Sequence, residues 1–361
     1  MGVKLQNLVI QNKIDFSQLA GKIIAVDAPN IIMALFNFSY KNKAFSYSDL
    51  MIDNTQRAIS HLYGILFRVN FYYSKKIFPI FCFDGKDSEL KRIVSKDLLN
   101  DFLVTKKWYE NAMQSGKKYL AKQHSLGKEF LWPNIVRESK QLMGALGIPY
   151  IESPASAESQ CAQLVKSKIA YYSNSQDYDS LLFGCPRVIQ NLSKSMKRKV
   201  QGKWKYRTIE SMLISLSDTL KELKINQFQL IDLAILIGTD YFPGIKGIGP
   251  KTALKLLQKY GSLEAVIQYE KVNYDFTQLT PKLLKKIRKI FLLPEVNNSI
   301  GTLCWNPPNK VQVIDLLCKD HHLNLERVSN NIDKVIKNFY SCRKFFKNRN
   351  NNSSLVQTTL I

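Results

Sequence analysis

Six acidic residues occupy similar places in the predicted structure, and together they could bind divalent cations. Crowded carboxylates repel one another, so an ionised cluster of this kind needs cations nearby. Oxygen-rich clusters select Mg²⁺ or Mn²⁺, and two such ions about 4 Å apart can activate a water and stabilise the leaving oxygen of a phosphodiester. Each acid taken alone could instead be a helix cap, a turn residue or a surface charge. The six are Asp27, Asp84, Glu158, Asp177, Asp179 and Asp240.

Two of these acids are separated by a single residue, in the loop that follows a predicted strand. Alternate residues of an extended segment point the same way, so the spacing of Asp177 and Asp179 predicts that their carboxylates lie together. Glu158 falls in the first turn of the helix predicted after Pro154.

The sixth acid, Asp240, ends an apolar helix and is followed at once by a glycine-rich hairpin. Glycines allow the backbone to approach a ligand closely and to turn its N–H groups outward. Pro250 suits the first turn of the next helix, whose N-terminus attracts anions. The segment therefore predicts a clamp for nucleic-acid phosphates beside an acidic site. Its expected contacts are Gly244, Lys246, Gly247, Gly249 and Lys251.

Short apolar runs that end in acids indicate how these side chains are positioned. Lys22–Asp27 and Phe78–Gly85 each look like a buried strand whose carboxyl end presents a carboxylate, as in an open α/β sheet. Helical patterns separate the runs, for example at 139–146 and 156–166. We therefore predict an α/β fold with a central, mostly parallel sheet and flanking helices. Further strands are expected at 148–152, 170–173 and 187–189.

Two basic stretches and a polar tail interrupt this pattern. Residues 86–137 are polar, basic and helix-permissive, with interleaved aromatics, and we interpret them as a helical insertion over the acids. Ordinary solvated helices are the alternative. Residues 194–207 predict a basic hairpin around Gln201-Gly202, with a solvated turn as the alternative. We expect the tail from Arg343 to Ile361 to lack regular structure.

The composition favours a polyanionic partner. The chain has 361 residues, of which 52 are Lys or Arg and 29 Asp or Glu, giving a net charge of +23. A membrane surface is the other candidate, but no apolar run is long enough to span a bilayer, and the start lacks a signal-peptide pattern. Six cysteines without CxxC spacing argue against a zinc site or a disulfide framework and favour a reducing intracellular setting.

Several motifs together resemble the flap endonucleases, specifically the archaeal type, within the structure-specific 5′ nucleases. The resemblance is nearly full length and covers the hairpin and the segments that hold the acids. Its motifs are Met1-Gly2-Val3, Ala25-Val26-Asp27-Ala28, Ser60-His61-Leu62, Phe83-Asp84-Gly85-Lys86, Gly147-Ile148-Pro149-Tyr150, Ser175 to Gly184, Gly238-Thr239-Asp240-Tyr241 and Phe291-Leu292-Leu293-Pro294.

This resemblance implies Mg²⁺-dependent cleavage of branched DNA near a junction of single and double strands, as a 5′ flap endonuclease and 5′-3′ exonuclease of replication and repair. It implies a PIN-like 5′ nuclease fold, two metal ions on the six acids, a K⁺ ion at the helix-hairpin-helix, and a monomer. Lys91 would be the catalytic lysine of the helical arch, and Gly2 and Lys96 would contact DNA. We expect an intracellular protein of an archaeal cell, or a nuclear one in a eukaryote.

The expected organisation divides the chain into six parts. They are the first part of the nuclease domain (1–85), the arch insertion (86–137), the second part of the nuclease domain (138–229), the helix-hairpin-helix (230–262), a C-terminal helical region (263–342) and a flexible tail (343–361).

The chain departs from the family pattern at four places. Ser156 stands where the family has a glutamate, and Glu152 is the nearest candidate substitute. Met33 replaces a tyrosine that stacks on the substrate base, and the arch arginine lacks a clean match near Lys96. The C-terminal Gln357 to Ile361 keeps the glutamine of a sliding-clamp motif but offers no aromatic anchor.

These departures leave other functions open. The main alternative is a weakened or non-cleaving protein that binds DNA junctions. A shift toward 5′ ends, bubbles or Holliday-type junctions is a milder one, and a general RNA nuclease is disfavoured because the helix-hairpin-helix suits duplex DNA.

Overall fold

The computed structural model describes most of the chain outside the basic insertion and the two ends. The described residues are 2–37, 51, 53, 57–86, 107–108, 110–112, 114–117, 128–192, 196–200, 203–207 and 210–351. The first half consists of β1 (Asn12–Lys13), α1 (Phe16–Leu19), β2 (Lys22–Asp27), α2 (Ala28–Asn37), α3 (Ser60–Ser74), β3 (Ile77–Phe83), α4 (Lys128–Ala145), β4 (Tyr150–Glu152), α5 (Ala157–Lys166), β5 (Tyr172–Asn174), α6 (Asp179–Leu182) and β6 (Arg187–Gln190).

The second half is mainly helical. It consists of β7 (Met196–Val200), β8 (Lys203–Arg207), β9 (Met212–Ser215), α7 (Leu216–Leu223), α8 (Gln227–Ile237), α9 (Pro250–Tyr260), α10 (Leu263–Glu270), α11 (Pro281–Leu292), α12 (Lys310–Ile314), a π-helix (Asp315–Asp320) and α13 (Leu325–Asn351). Within the described ranges, no helix combines the length and apolar character needed to cross a bilayer.

Seven strands form one sheet in the order β1-β9-β6-β5-β2-β3-β4. The five strands from β6 to β4 are parallel, and β9 and β1 join the β6 edge antiparallel. The mostly parallel α/β fold is thus confirmed. All seven residues of β3 are buried, as expected for a strand covered by helices on both faces.

The strand order changes direction at β2, which places a crevice at the carboxyl ends of the parallel strands. From β2 the chain first adds β3 and β4 on one side, and then returns to add β5 and β6 on the other. In open α/β sheets ligands bind outside the carboxyl ends at such a switch point. Asp27 is the last residue of β2, so the fold brings it to this crevice.

The helix-hairpin-helix is present as α8, a connection of residues 238–249, and α9. A buried ion pair holds α8 in place, because Arg288 of α11 donates to both oxygens of Asp232, at 2.7 and 2.8 Å. The same guanidinium reaches Glu264 of α10 at 2.9 Å. Two helices of the C-terminal region, α10 and α11, are therefore joined to the first helix of the helix-hairpin-helix.

A second buried network attaches α4, the helix that follows the basic insertion, to the body of the protein. Glu138 of α4 lies 3.2 Å from Nε2 of His61 on α3, and 3.8 Å from Nε2 of His321. Asp53 lies 3.6 Å from Nδ1 of His321 and pairs with Arg57 at 2.8 Å. Glu138, Asp53 and both histidines are buried, so these contacts join α4 to α3 and to the segment before α13.

The tail differs from the sequence-based expectation. Helix α13 continues to Asn351, so the segment from Arg343 is not irregular along its whole length. The reason is packing, because Cys342 and Phe346 are buried along one face of the helix and Phe346 lies 4.5 Å from Phe78, ring centre to ring centre. Residues 352–361 lie outside the described residues.

The hairpin expected at 194–207 is present, since β7 and β8 pair antiparallel with Val200 opposite Lys203. All six cysteines are free thiols.

The expected domain ranges stay predictions, and the boundary proposed after residue 137 falls inside α4.

Candidate active site

The six acids gather at the carboxyl end of the sheet. Asp27 ends β2, Asp84 follows β3, and Asp177 follows β5. Their mutual electrostatic influence shows that they share one site. The pKa of Glu158 is raised well above its ordinary value by burial and then by four other acids, namely Asp179, Asp27, Asp177 and Asp84. Asp240 joins the set through Asp179, whose pKa it raises.

Asp27 is almost fully buried, with 3% of its surface exposed. Its Oδ1 accepts a hydrogen bond from the backbone N–H of Asn30 at 3.3 Å, which caps the start of α2. Its Oδ2 accepts one from Oγ of Ser175 at 2.8 Å. Burial first, and the neighbouring charge of Asp84 second, raise its pKa to about 7. In the absence of a cation, a negative charge on Asp27 beside the charge of Asp84 is therefore unfavourable.

Asp84 lies at the positive end of another helix. Its Oδ1 accepts from the backbone N–H of Ala157, in the first turn of α5, at 2.8 Å. Gly85 permits this approach, because a Cβ at that position would lie 1.9 Å from the carbonyl oxygen of Ser153. The glycine of the Phe83-Asp84-Gly85 motif is thus required by the close contact between the end of β3 and the loop before α5.

Asp177 and Asp179 are both at the site, but not for the reason that their spacing suggested. The segment is not extended; Asp179 is the first residue of helix α6. Its Oδ1 accepts from the backbone N–H of Val3 at 2.7 Å, and its pKa is raised to about 7, mainly by burial. A turn, rather than strand alternation, brings the two carboxylates together.

The N-terminal segment forms one wall of the site. A Cβ on Gly2 would lie 2.9 Å from Cβ of Asp177, so Gly2 packs directly on that residue. The expectation that Gly2 contacts DNA stays a prediction, but its position beside the acids agrees with it.

Ser156 has a structural role at the position where a glutamate was expected. It is the N-cap of α5, with extended backbone angles, and its Oγ accepts from the backbone N–H of Ser159 at 3.2 Å. Glu152 is a poor substitute, because it is exposed and pairs with Lys140 at 2.7 Å. Met33 packs against the hydrophobic core, so the side chain of α2 that replaces the stacking tyrosine is held by packing.

The carboxylate set suits metal ions that keep water ligands. Among the residues that the structure describes, no three acidic, histidine or cysteine side chains form a ready-made shell around one ion. Mg²⁺ is bound through one or two carboxylates while it keeps several waters, so it does not need such a shell. Burial first, and repulsion between neighbouring acids second, raise the pKa values of Asp27, Glu158 and Asp179, and a divalent cation would relieve that repulsion.

One side of the hairpin beside Asp240 packs on the core, and the other side is exposed. Ile245 and Ile248 are buried, and the backbone N–H of Ile245 donates to the carbonyl of Leu236 at 2.8 Å. Gly244 has a φ of +87°, and a Cβ there would lie 2.6 Å from the nitrogen of Gly238, so the fold itself requires this glycine.

Gly249 is different, because nothing in the fold requires it to lack a side chain. Its φ is −94°, it is the N-cap of α9, and a Cβ there would meet nothing within 4 Å. It is exposed, as are Lys246, Gly247 and Lys251. An open glycine at a helix N-terminus leaves room for an approaching anion.

Two predicted site residues, Lys91 and Lys96, lie outside the described residues. Two residues that the sequence reasoning missed, Asn30 and Ser175, lie within the site and bond to its acids. The signal available for them was only their proximity in sequence to Asp27 and Asp177.

Comparisons with known proteins show which sequences this chain is similar to. The family model described as the XPG I-region matches residues 147–240, and the 5′-3′ exonuclease, C-terminal SAM fold model matches residues 225–324. Flap endonuclease 1 of Methanosarcina acetivorans is 35% identical over 336 residues, covering 93% of this chain and 96% of the relative.

Solved structures give the same result. Flap endonuclease-1 from Methanococcus jannaschii superposes with a TM-score of 0.71 and 25% identity, covering 94% of this chain and 99% of that one. The catalytic core of Rad2 in complex with DNA substrate superposes with a TM-score of 0.64 and 21% identity, covering 90% of this chain and 95% of that one. The second likeness concerns the fold.

Proposed function

Because this chain belongs to the flap endonuclease family, we propose that it hydrolyses phosphodiester bonds of branched DNA as a metal-dependent, structure-specific 5′ flap nuclease. The observation that supports the proposal is the group of six acids at the carboxyl end of the sheet, with an exposed glycine-rich hairpin directly after one of them, Asp240. The family relation and this arrangement point to the same chemistry.

The six acids would hold the metal ions, namely Asp27, Asp84, Glu158, Asp177, Asp179 and Asp240. When bound, two Mg²⁺ or Mn²⁺ ions would supply an activated water and neutralise charge on the leaving oxygen. Backbone N–H groups hold three of the carboxylates by hydrogen bonds. Those at the N-termini of α2 and α5 donate to Asp27 and Asp84, and that of Val3 donates to Asp179. Each of these donors favours the ionised form that a metal requires.

The hairpin would hold the duplex. Exposed N–H groups at Gly247 and Gly249, with Lys246 and Lys251 beside them, suit the phosphates of one strand. Only three residues separate Asp240 from Gly244, the first glycine of the hairpin, so a duplex held there would lie beside the acidic site. This connection sets which phosphodiester reaches the metals. We assign a K⁺ ion to the hairpin, DNA contacts to Gly2 and Lys96, and a catalytic role to Lys91 as part of the same proposal.

Cleavage of a defined flap tests the proposal. The full chain is incubated with a 5′-flap DNA, with a nicked duplex and with single-stranded DNA, in Mg²⁺, in Mn²⁺ and in chelator. We expect cleavage near the junction of the flap, only with a divalent ion. Asp179→Asn is the matched control, since it removes one charge but keeps an oxygen that accepts from Val3. Absence of metal-dependent cleavage on every junction would contradict the proposal.

The same experiment addresses the alternative, a protein that binds junctions without cutting them. That alternative predicts tight, salt-sensitive binding of the flap substrate with no product at any metal concentration. A turnover that Asp179→Asn abolishes would exclude it, because a contaminating nuclease would not respond to the substitution.

Three partner and cellular assignments belong to the proposal as well. We assign a monomer, an intracellular location and a contact between Gln357–Ile361 and a sliding clamp. Sedimentation of the purified chain tests the first. A pull-down with the clamp of the source organism, with and without the last five residues, tests the third; equal capture by both chains would remove the assignment.

A further inference from the structure

Two uncharged side chains connect the acid at the end of β2 to the acid after β5. Asn30 donates from Nδ2 to Oδ2 of Asp177 at 2.9 Å, while its backbone N–H donates to Asp27 at 3.3 Å. Ser175 donates from Oγ to Oδ2 of Asp27 at 2.8 Å and accepts from the backbone N–H of Asp177 at 3.2 Å. Each of the two residues thus contacts both acids.

The direction of these hydrogen bonds is fixed by the groups around them. Oδ1 of Asn30 accepts from the backbone N–H of Gln176 at 3.1 Å, so the NH₂ group must face Asp177. The Oγ of Ser175 already accepts from an N–H, so its own proton goes to Asp27. Both side chains therefore present donors to carboxylates, and neither can reverse without losing its second bond.

The two bridges cross the switch point of the sheet, where β2 and β5 lie side by side. Val26 pairs with Asn174, so the residues that follow these positions leave the sheet next to each other. Ser175 is completely buried, and Asn30 is half-buried. The bridges join the segments that follow these two strands. Hydrogen bonds from Ser175 and Asn30 also lower the pKa of Asp27 against the larger effect of burial.

We propose that Asn30 and Ser175 are positioning residues, which set the separation and orientation of the Asp27 and Asp177 carboxylates so that both can act on the same bound metal ions. The inference deepens the proposed nuclease function and rests on it. Residues that orient metal ligands from behind typically contribute ten- to a hundredfold in metal affinity or activity.

Alanine at either position tests the inference with two independent measurements. Asn30→Ala and Ser175→Ala are titrated with Mn²⁺ in the absence of DNA, by calorimetry or by the loss of free-ion paramagnetic signal. Cleavage of the 5′-flap DNA then gives kcat, KM and the Mg²⁺ concentration for half-maximal rate. We expect about tenfold weaker Mn²⁺ binding and a matching rise in the Mg²⁺ requirement, with KM for DNA changed less than twofold.

A control and a size-matched variant separate positioning from simple stability. Asn338→Ala removes a comparable amide bond, from Asn338 to Asn70 at 2.8 Å between α13 and α3, and should leave the metal requirement unchanged. Asn30→Leu keeps the approximate size of the side chain but removes the donor opposite Asp177 without adding a charge. We expect it to weaken Mn²⁺ binding at least as much as Asn30→Ala does.

Three results would overturn the inference. One is a loss of melting temperature in Asn30→Ala and Ser175→Ala with unchanged Mn²⁺ affinity, which is the behaviour of merely structural residues. Another is an equal shift of the metal requirement in Asn338→Ala. The third is a wild-type protein that binds Mn²⁺ no better than Asn30→Leu. A wild-type protein that binds Mn²⁺ but cuts no DNA would instead contradict the proposed function, so the two failures are distinguishable.

Discussion

Ser156 occupies a position where one residue has to satisfy two different demands. As the N-cap of α5, its Oγ accepts a hydrogen bond from the backbone N–H of Ser159. Glutamate is not among the residues preferred at an N-cap. As a neighbour of Asp84 and Glu158 it contributes no charge to the acidic set. Ser156 therefore caps α5 and adds no carboxylate to the site.

Replacing Ser156 by glutamate should improve metal binding and lower stability at the same time. The added carboxylate strengthens the oxygen-rich site, whereas loss of the serine cap costs about 1 kcal/mol. We expect Ser156→Glu to lower the Mg²⁺ concentration for half-maximal cleavage several-fold and to reduce the melting temperature. Ser156→Ala is the control, since it loses the cap without gaining the charge. A Ser156→Glu protein with the metal requirement of Ser156→Ala would show that position 156 does not reach the metals.

The raised pKa values of Asp27 and Asp179 predict how pH controls metal binding. Both lie at about 7, above the ordinary range of an aspartate, so the metal-free folded protein holds protons that the unfolded chain has lost. Stability of the metal-free protein therefore falls as pH rises toward 7. A metal ion must displace these protons, so its affinity should increase with pH up to about 7 and then level off.

Calorimetry in buffers of different ionisation enthalpy measures this proton release directly. At pH 6 we expect about one to two protons to leave for each metal-loaded protein, and fewer at pH 8. Asp179→Asn should release fewer protons at pH 6 than the wild-type protein does. A metal affinity that stays constant between pH 5.5 and 7.5 would contradict the prediction.

At the scale of elements, the sequence predicted those parts of the fold that depend on local pattern. The buried strands β2 and β3 and the helix-hairpin-helix have strong local signals, and all three are present. The β7–β8 pair is present as well, although its sequence left a solvated turn as the alternative. Strands β1 and β9 have only two and four residues, and they form because distant segments pair. The side chains Asn30 and Ser175 were missed for a related reason, since their role exists only once β2 and β5 lie side by side.

The end of α13 shows the limit of composition as a signal. The asparagine-rich run suggested an irregular tail, but buried residues at helical spacing, such as Phe339, Cys342 and Phe346, continue the helix into it. Local polarity is overridden where one face of a segment can still pack on the core.

Gly249 allows the function of the hairpin to be changed without disturbing its fold. Asp and Asn are both favourable N-caps, and neither meets a steric obstacle at this position. We expect Gly249→Asp and Gly249→Asn to melt close to the wild-type temperature. The aspartate places a negative charge where a phosphate should bind, so Gly249→Asp should weaken duplex binding about tenfold or more relative to Gly249→Asn.

Fluorescence anisotropy with a labelled duplex measures this difference at fixed salt. Because the two variants differ only in charge, steric effects cancel in the comparison. Equal binding by Gly249→Asp and Gly249→Asn would mean that no phosphate approaches the N-terminus of α9.

At the scale of the whole molecule, the net charge of +23 raises the question of whether DNA is held by a diffuse field or by particular contacts. Both mechanisms give strong binding at low salt, and both weaken as salt increases. They differ in what a single lysine contributes. A lysine in a phosphate contact releases counterions when DNA binds, and so it adds nearly one unit to the slope of log affinity against log salt.

Removal of two hairpin lysines decides between these mechanisms. We expect Lys246→Ala with Lys251→Ala to make the salt slope shallower by about two units, while kcat on saturating flap DNA stays unchanged. The matched control removes Lys334 and Lys337, two exposed lysines of α13, which packs against α3. Equal slopes in the two double variants would favour the diffuse field. A shallower salt slope in the hairpin variant alone would place the phosphate contacts at 244–251, directly after Asp240. It would also explain why the densest glycine pattern of the chain lies next to a carboxylate.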